Sequence, residues 1–147
     1  MKLSPHFDLA ELTASQTAAR LGIDNTPPAE ELAALRQTAA LLEQVRTLLG
    51  EGAITVTSGY RCYALNRAIG SGTTSAHVKG MAADFICPSF GGPRKVCEAI
   101  AQSDITFDQL IREFDTGAGG WTHIAWSPTP RRMLLTIDGA GTRHGLE

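Results

Sequence analysis

Two of the four histidines in the chain lie in polar segments that could hold a metal ion. His77 and Asp84 belong to the segment 75–84, SAHVKGMAAD, and His123 follows Trp121 by two positions. Taken singly, each residue is more typical of a structural hydrogen-bonding group. Together, two neutral imidazoles and one carboxylate are sufficient ligands for a catalytic zinc ion, because the fourth coordination position stays open for water. The same ligand types also suit iron, although seven positions separate His77 from Asp84, farther apart than iron oxygenases usually hold them. The set therefore predicts a metal site, with zinc favoured over iron.

An arginine follows the first predicted strand, in the segment 58–61, SGYR. Gly59 permits a sharp turn, so that Arg61 sits at the strand end. The planar donor fork of arginine suits a substrate carboxylate or a developing oxyanion. A surface arginine stacked on Tyr60 or Tyr63 is the alternative interpretation.

Carboxylates near the candidate metal site could move protons. Alternation along the predicted strand 109–113 puts Gln109, Ile111 and Glu113 on one face. A hydrolytic zinc site needs a carboxylate that takes a proton from water and passes it on. Glu113 and Asp115 are the nearby acids upstream of His123, and without the metal site Glu113 would be interpreted as a solvated glutamate at a strand end.

The elements that must position these residues follow from the pattern of apolar residues. The prolines at 27–28, with acids behind them, start a helix whose apolar stripe recurs every three or four residues up to Leu49, before Gly50. Shorter helices are predicted at 7–12, 64–69 and 94–102, and strands at 54–57, 83–87, 109–113, 122–126 and 133–137. The fold class is therefore α+β with a mostly antiparallel sheet. Asp84 and His123 meet if their strands lie side by side.

Composition limits the classes of function. The chain has 147 residues, is 43% hydrophobic and carries a formal net charge of -2, which fits a single domain over residues 1–147 and excludes a strongly basic nucleic-acid surface. No apolar run is long enough to span a bilayer. The first residues lack the apolar core of a signal peptide, so we expect cytoplasmic synthesis. Three cysteines without a CxxC pair are expected to stay reduced.

Three motifs in this order resemble the zinc D-alanyl-D-alanine carboxypeptidase and L-alanyl-D-glutamate endopeptidase family of peptidoglycan hydrolases. They are SGYR at 58–61, SxHxxGxAxD at 75–84 and WxH at 121–123. The segments LSPHF at 3–7, SQTA at 15–18 and GIDN at 22–25 also resemble phage and prophage members. The resemblance implies a hedgehog/DD-peptidase-like fold, with helices packed on the sheet and a single zinc ion in a cleft on that sheet.

The resemblance also implies a role for each matching residue. The implied zinc ligands are His77, Asp84 and His123. Arg61 would hold the substrate carboxylate or the transition-state oxyanion, Ser75 would be a supporting hydrogen-bond donor, and Trp121 would contact the substrate.

The catalytic carboxylate is placed by a narrower resemblance. Several relatives have an acid three residues before the last ligand, where this chain has Gly120. The phage-like subgroup has a glutamate at the end of a QLIxE strand, which matches Glu113. The glycine-rich loop 114–120 is longer than expected, so Asp115 stays as the alternative base.

The implied function is zinc-dependent hydrolysis of an amide bond in the peptide stem of peptidoglycan. The expected partner is the stem peptide, and the chain is expected to act as a monomer at the cell wall after release from the cytoplasm. One alternative is a zinc-binding module of the same fold that does not hydrolyse its ligand. Another is a phage structural component that mainly binds the cell wall.

Overall fold

The computed structural model describes residues 1–116 and 119–146. Gly117 and Ala118 of the glycine-rich loop, and the terminal Glu147, lie outside the described residues. The N-terminal part forms a two-stranded sheet and three helices: β1 (Lys2–Ser4), β2 (Phe7–Asp8), α1 (Leu9–Thr13), α2 (Gln16–Leu21) and α3 (Ala29–Leu48). The remainder forms β3 (Thr55–Ser58), α4 (Tyr63–Ala68), a short 3-10 helix (Ala76–Lys79), β4 (Ala82–Ile86), α5 (Pro93–Ala101), β5 (Gln109–Glu113), β6 (Trp121–Ala125), β7 (Met133–Asp138) and β8 (Gly141–His144).

Six of these strands form one antiparallel-rich sheet in the order β3-β4-β6-β5-β7-β8. Neighbouring strands run antiparallel except β5 and β7, which are parallel. The predicted α+β class with a mostly antiparallel sheet is therefore confirmed. No helix among the described residues has both the length and the apolar character needed to cross a membrane.

The long helix α3 confirms the prediction from the proline pair. Pro28 is its N-cap residue, Glu30 and Glu31 lie in its first turn and Arg46 lies in its last turn, so the charges complement the helix dipole. Its buried stripe consists of Ala34, Leu35, Thr38, Ala39, Leu41, Leu42 and Val45. This stripe packs with α5 against one face of the sheet, where it forms the core.

Alternation along the central strands separates the core from the site. Ala83, Leu110 and Ile124 are aligned across β4, β5 and β6 and are fully buried in the core cluster. Asp84 follows Ala83 and His123 precedes Ile124, so both side chains point to the opposite face. The polar residues are thus carried by strands whose other face is anchored in the core.

The N-terminus and the segment around His77 depart from the predicted elements. The predicted helix 7–12 begins later, because Phe7 pairs with Ser4 in a small hairpin and Asp8 forms a capping box with Glu11. The helix α2 and the strands β1 and β8 were not predicted from the sequence. His77 lies in a 3-10 helix instead of a loop. These elements are short and depend on local caps and on pairing, which leave weak periodic signals.

Candidate active site

Strand pairing brings Asp84 and His123 together. The two residues are direct partners in the antiparallel pair β4–β6, so their side chains project from the same face. The Nδ1 atom of His123 lies 2.9 Å from Oδ1 of Asp84. Both side chains are largely buried, with 8% and 12% of their surfaces exposed.

His77 reaches the same carboxylate from the 3-10 helix. The Ser75 hydroxyl caps this helix by accepting a hydrogen bond from the His77 backbone N–H, and Gly80 ends it with a left-handed φ of 73°. The Nδ1 atom of His77 lies 2.7 Å from the Gly59 carbonyl oxygen. Because a carbonyl only accepts, Nδ1 carries the proton. In the neutral ring, Nε2 of His77 is therefore the atom with the lone pair, and it lies 3.3 Å from Oδ1 of Asp84.

The donor atoms fit a metal cation. One ligand atom from each of His77, Asp84 and His123 lies within 4.8 Å of the others. A neutral His77 presents a lone pair to a carboxylate oxygen, and two acceptors at that distance require a cation or a proton between them. Burial would raise the pKa of the Asp84 carboxyl, but the hydrogen bond from His123 opposes this shift, and that pKa is held below its usual range. Two imidazole nitrogens and one carboxylate oxygen form a three-ligand set that leaves a coordination position open.

Arg61 is held beside this cluster by its backbone. Its N–H donates to the His77 carbonyl at 3.1 Å, so the arginine and the histidine are positioned as one unit. Its Nε atom is buried and has no hydrogen-bond partner among the described residues. Burial lowers the pKa of the guanidinium, and the carboxylates of Asp84 and Glu113 oppose that shift. A positively charged donor with an unused N–H is therefore available to an anionic group in the cleft.

Glu113 faces the metal cluster from β5. It is two residues after Ile111, the direct partner of His123 in the pair β5–β6, and therefore lies on the same face. Its Oε1 atom is 3.9 Å from Nδ1 of His123. Burial and the nearby Asp84 raise the pKa of the Glu113 carboxyl, while His123, Trp121 and Arg61 partly oppose them. A raised pKa favours a group that both accepts and returns a proton near neutral pH.

Asp115 occupies a different position. Its carboxylate accepts hydrogen bonds from Nε of Arg112 at 2.9 Å and from the Arg94 backbone N–H at 3.3 Å. It lines a separate cavity of about 370 Å³ beside α5. The geometry therefore favours Glu113 over Asp115 as the group that faces the metal cluster.

Gly120 explains why an acid is absent three residues before His123. Its φ is 88°, which side chains rarely adopt. A Cβ atom at this position would lie 2.7 Å from the Glu113 carbonyl oxygen and from the Asp115 backbone. The tight return of the chain into β6 therefore requires glycine here.

All the predicted site residues line one cleft of about 1000 Å³. They are Arg61, Ser75, His77, Asp84, Glu113, Trp121 and His123. The Trp121 ring packs against Phe114 with the ring centroids 5.5 Å apart. The buried indole Nε1 of Trp121 and the buried Nε2 of His123 have no partner that meets hydrogen-bond geometry in the described parts of the chain.

Two positioning residues were missed from the sequence. Asn25 donates from Nδ2 to the carbonyls of Thr13 and Tyr60, each at 2.9 Å, and accepts from the Cys62 N–H at 2.8 Å. It therefore holds the residues on both sides of Arg61. The Thr38 hydroxyl on α3 donates to the Gly80 carbonyl at 2.7 Å, which fixes the end of the helix that carries His77.

Comparison with known proteins places this arrangement in a family. No match was found among curated proteins. The family model described as Peptidase M15 matches residues 5–125, a range that includes all seven residues of the predicted site. Since this match spans most of the chain and covers the cluster that can hold a metal ion, the chain belongs to the Peptidase M15 family of metal-dependent peptidases.

Proposed function

We propose that the chain is a zinc peptidase that hydrolyses an amide bond in the peptide stem of bacterial peptidoglycan. The reaction would be of the D-Ala-D-Ala carboxypeptidase or the L-Ala-D-Glu endopeptidase type. The observation that carries the proposal is the buried convergence of His77, Asp84 and His123, with Glu113 3.9 Å from His123 in the same cleft. Arg61, which lines the same cleft and lies near both Asp84 and Glu113, provides the cation that an acyl-transfer site needs.

Zinc bound there would polarise the scissile carbonyl and lower the pKa of a coordinated water molecule to about 7. His77, Asp84 and His123 would hold the ion, and the Gly59 carbonyl would keep His77 in the tautomer that exposes Nε2. Imidazole and carboxylate ligands without thiolate are typical of catalytic zinc sites.

Glu113 is the proposed general base and acid. Its Oε1 would accept the proton of the attacking water and then return it to the leaving amine. Because burial already raises the pKa of this carboxyl, the protonated form is accessible during the cycle. Arg61 would stabilise the oxyanion, Ser75 would donate a supporting hydrogen bond, and Trp121 would contact the stem peptide at the rim.

The test combines metal analysis with digestion of purified peptidoglycan. The purified protein should contain about one zinc ion per chain, and mass spectrometry should identify the fragments it releases. Free D-alanine would indicate the carboxypeptidase, and stems cleaved after L-alanine would indicate the endopeptidase. Protein that lacks metal after supplementation, or that binds zinc without releasing either product, would contradict the proposal. The latter outcome would favour the non-hydrolytic zinc-binding alternative.

A matched pair of variants tests the base. Glu113→Gln should lower kcat by at least about a hundredfold, while zinc content is retained. Asp115→Asn makes the same change two residues away and outside the cleft, so its rate should stay within a few-fold of the wild type. The reverse result would assign the base to Asp115.

The finer parts of the proposal depend on the N-terminal resemblance and on the sequence alone. They are the phage or prophage origin, the action at the cell wall after cytoplasmic synthesis, and the monomeric state. Sedimentation of the purified chain tests the monomeric state. Its activity on intact cell walls, with the protein added externally, tests action at the cell wall.

A further inference from the structure

Two adjacent arginines after β6 have opposite surroundings. Arg132 has a positive φ of 51° and, although exposed, reaches the segment between α5 and β5. Its guanidinium donates to the carbonyls of Ala101, Ser103 and Ile105 at 3.0, 2.8 and 2.6 Å. It also lies 4.5 Å from the centroid of the Phe107 ring. Arg132 therefore holds the loop between α5 and β5, whereas Arg131 lines the active-site cleft.

Arg131 lines the active-site cleft and is held by one carboxylate. Its Nε donates to Oδ1 of Asp108 at 2.9 Å, and its Nη2 donates to Oδ2 at 2.8 Å. Its backbone N–H also donates to Oδ1, at 3.0 Å. Asp108 is 9% exposed, whereas the side chain of Arg131 is 54% exposed. The guanidinium is thus fixed at the cleft wall by a largely buried partner.

This arrangement leaves donors free. Within the described residues, Nη1 of Arg131 makes no hydrogen bond, and Nη2 uses one of its two N–H groups on Asp108. The free Nη1 and Nη2 hydrogens form the outer edge of a planar fork that can bind a carboxylate. The fork is pre-oriented, so little side-chain entropy would be lost when a ligand binds.

Arg131 and Glu113 lie toward opposite ends of β5. Along this strand, Gln109, Ile111 and Glu113 all line the cleft. Asp108, which holds Arg131, precedes Gln109, about 10 Å along the strand from Ile111. The metal cluster, aligned with Ile111 through His123, therefore lies between Glu113 and the Asp108–Arg131 pair.

We propose that Arg131, braced by Asp108, determines specificity by binding an internal carboxylate of the stem peptide. This inference rests on the proposed function, since peptidoglycan stems carry internal carboxylates besides the terminal one. Arg61 serves the reacting end of the substrate, and Arg131 receives a carboxylate on the other side of the scissile bond. Asp108 balances the charge of Arg131. Lys79, which also lines the cleft, adds a further positive charge. The family match ends at residue 125 and assigns no role to Arg131.

The experiment uses synthetic stem pentapeptides in pairs, with one internal carboxylate either free or converted to the amide. Arg131→Gln should lower kcat/KM about fivefold on one free-acid peptide, mainly by raising KM, as expected for a half-exposed charged contact. The same variant should cleave the matching amide at the wild-type rate. Wild-type protein should prefer the acid by the same factor.

Arg143→Gln is the matched control. Arg143 forms a comparable two-bond pair with Asp138 and does not line the cleft. Its substitution should therefore leave cleavage of both the acid and the amide peptide unchanged. If Arg131→Gln slows the acid and the amide equally, its role is only structural and the inference is wrong. Equal cleavage of acid and amide by the wild type in every pair also overturns it, while leaving the proposed function intact.

Binding of the same peptides is measured in parallel by calorimetry on the zinc-loaded Glu113→Gln variant, with and without Arg131→Gln. A preference for the acid that depends on Arg131 supports the inference even if no peptide is cleaved, in which case only the proposed hydrolysis fails. The absence of such a preference in binding overturns the inference.

Discussion

Asn25 should control both stability and turnover, although it does not line the active-site cleft. Its side-chain amide joins the end of α1, at Thr13, to the carbonyl of Tyr60 and the N–H of Cys62. Tyr60 and Cys62 flank Arg61. Asn25→Ala removes all three hydrogen bonds at once and frees the backbone that presents the guanidinium.

The expected magnitude follows from the three bonds. Each intramolecular hydrogen bond contributes about 1 kcal/mol net. Asn25 is only half-buried, so water replaces part of the loss, and we expect a decrease of about 2 kcal/mol in the free energy of unfolding. In a chain of this size that decrease corresponds to a Tm lower by about 4–8 °C. Displacement of Arg61 should lower kcat/KM about tenfold.

The assay pairs urea unfolding with turnover measured well below the Tm. Asp24→Ala is the control. Asp24 is exposed and, among the described residues, its side chain bonds only to Thr26, two positions along the chain. The urea midpoint of this variant should therefore stay close to that of the wild type. Asn25→Asp places a carboxylate oxygen against two carbonyl oxygens and should destabilise at least as much as Asn25→Ala.

Two results would refute this reasoning. If Asn25→Ala unfolds at the same urea concentration as the wild type, the bridge does not stabilise the fold. If the variant is less stable but retains full kcat/KM, the bridge stabilises the fold without positioning Arg61.

Three further predictions concern stability and accessibility. Thr38→Val leaves the Gly80 carbonyl and the Trp126 indole N–H without their hydroxyl partner, so urea unfolding should show a loss of about 2 kcal/mol; no loss would mean that water satisfies both groups. A thiol reagent should label one cysteine in the native protein, Cys62, because the other two are buried and burial raises the pKa of Cys97 to about 12. Mass spectrometry that finds rapid native labelling of Cys97 would contradict this burial. Arg143 lowers the pKa of Asp138 to about 2, so this pair stabilises the fold above the unfolded-state pKa of about 4 and loses that contribution as pH falls toward 2. The Tm difference between wild type and Asp138→Asn should accordingly shrink between pH 6 and 3, and a constant difference would exclude this ionisation as its cause.

The sequence predicted the long helix and the strand β5 well. The strand 109–113 is observed as Gln109–Glu113, and the helix ends at Leu48, one residue before the predicted last residue, Leu49. The helix has a buried stripe at three- or four-residue spacing, and the strand has an apolar centre, Leu110 and Ile111, between polar ends. The meeting of Asp84 and His123 required that β4 and β6 be neighbours, which the family resemblance implied and the strand pairing shows.

Long-range pairing and backbone acceptors could not be predicted. The parallel alignment of β5 with β7 joins residues 24 positions apart, as in Gln109 and Met133, and no local pattern encodes it. The Gly59 carbonyl that sets the tautomer of His77 is a backbone atom, and every residue type has one. Gly120 could be identified as a departure from the family pattern, but its reason is a close approach to Glu113 and Asp115 that only the folded chain shows.

The formal net charge of -2 also conceals how the cleft can attract an acidic peptide. Among the described residues that line it, cations and carboxylates are equal in number: Arg61, Lys79 and Arg131 against Asp84, Asp108 and Glu113. With neutral histidines the lining is therefore uncharged overall, and a divalent metal ion held by His77, Asp84 and His123 would raise its charge to about +2. Two of the three cations are positioned by other segments: the Arg61 backbone is bonded to the His77 carbonyl, and the Arg131 guanidinium is bonded to Asp108. Recognition of stem carboxylates would thus depend on the metal and on these fixed positions, and the charge of the whole chain would not oppose it.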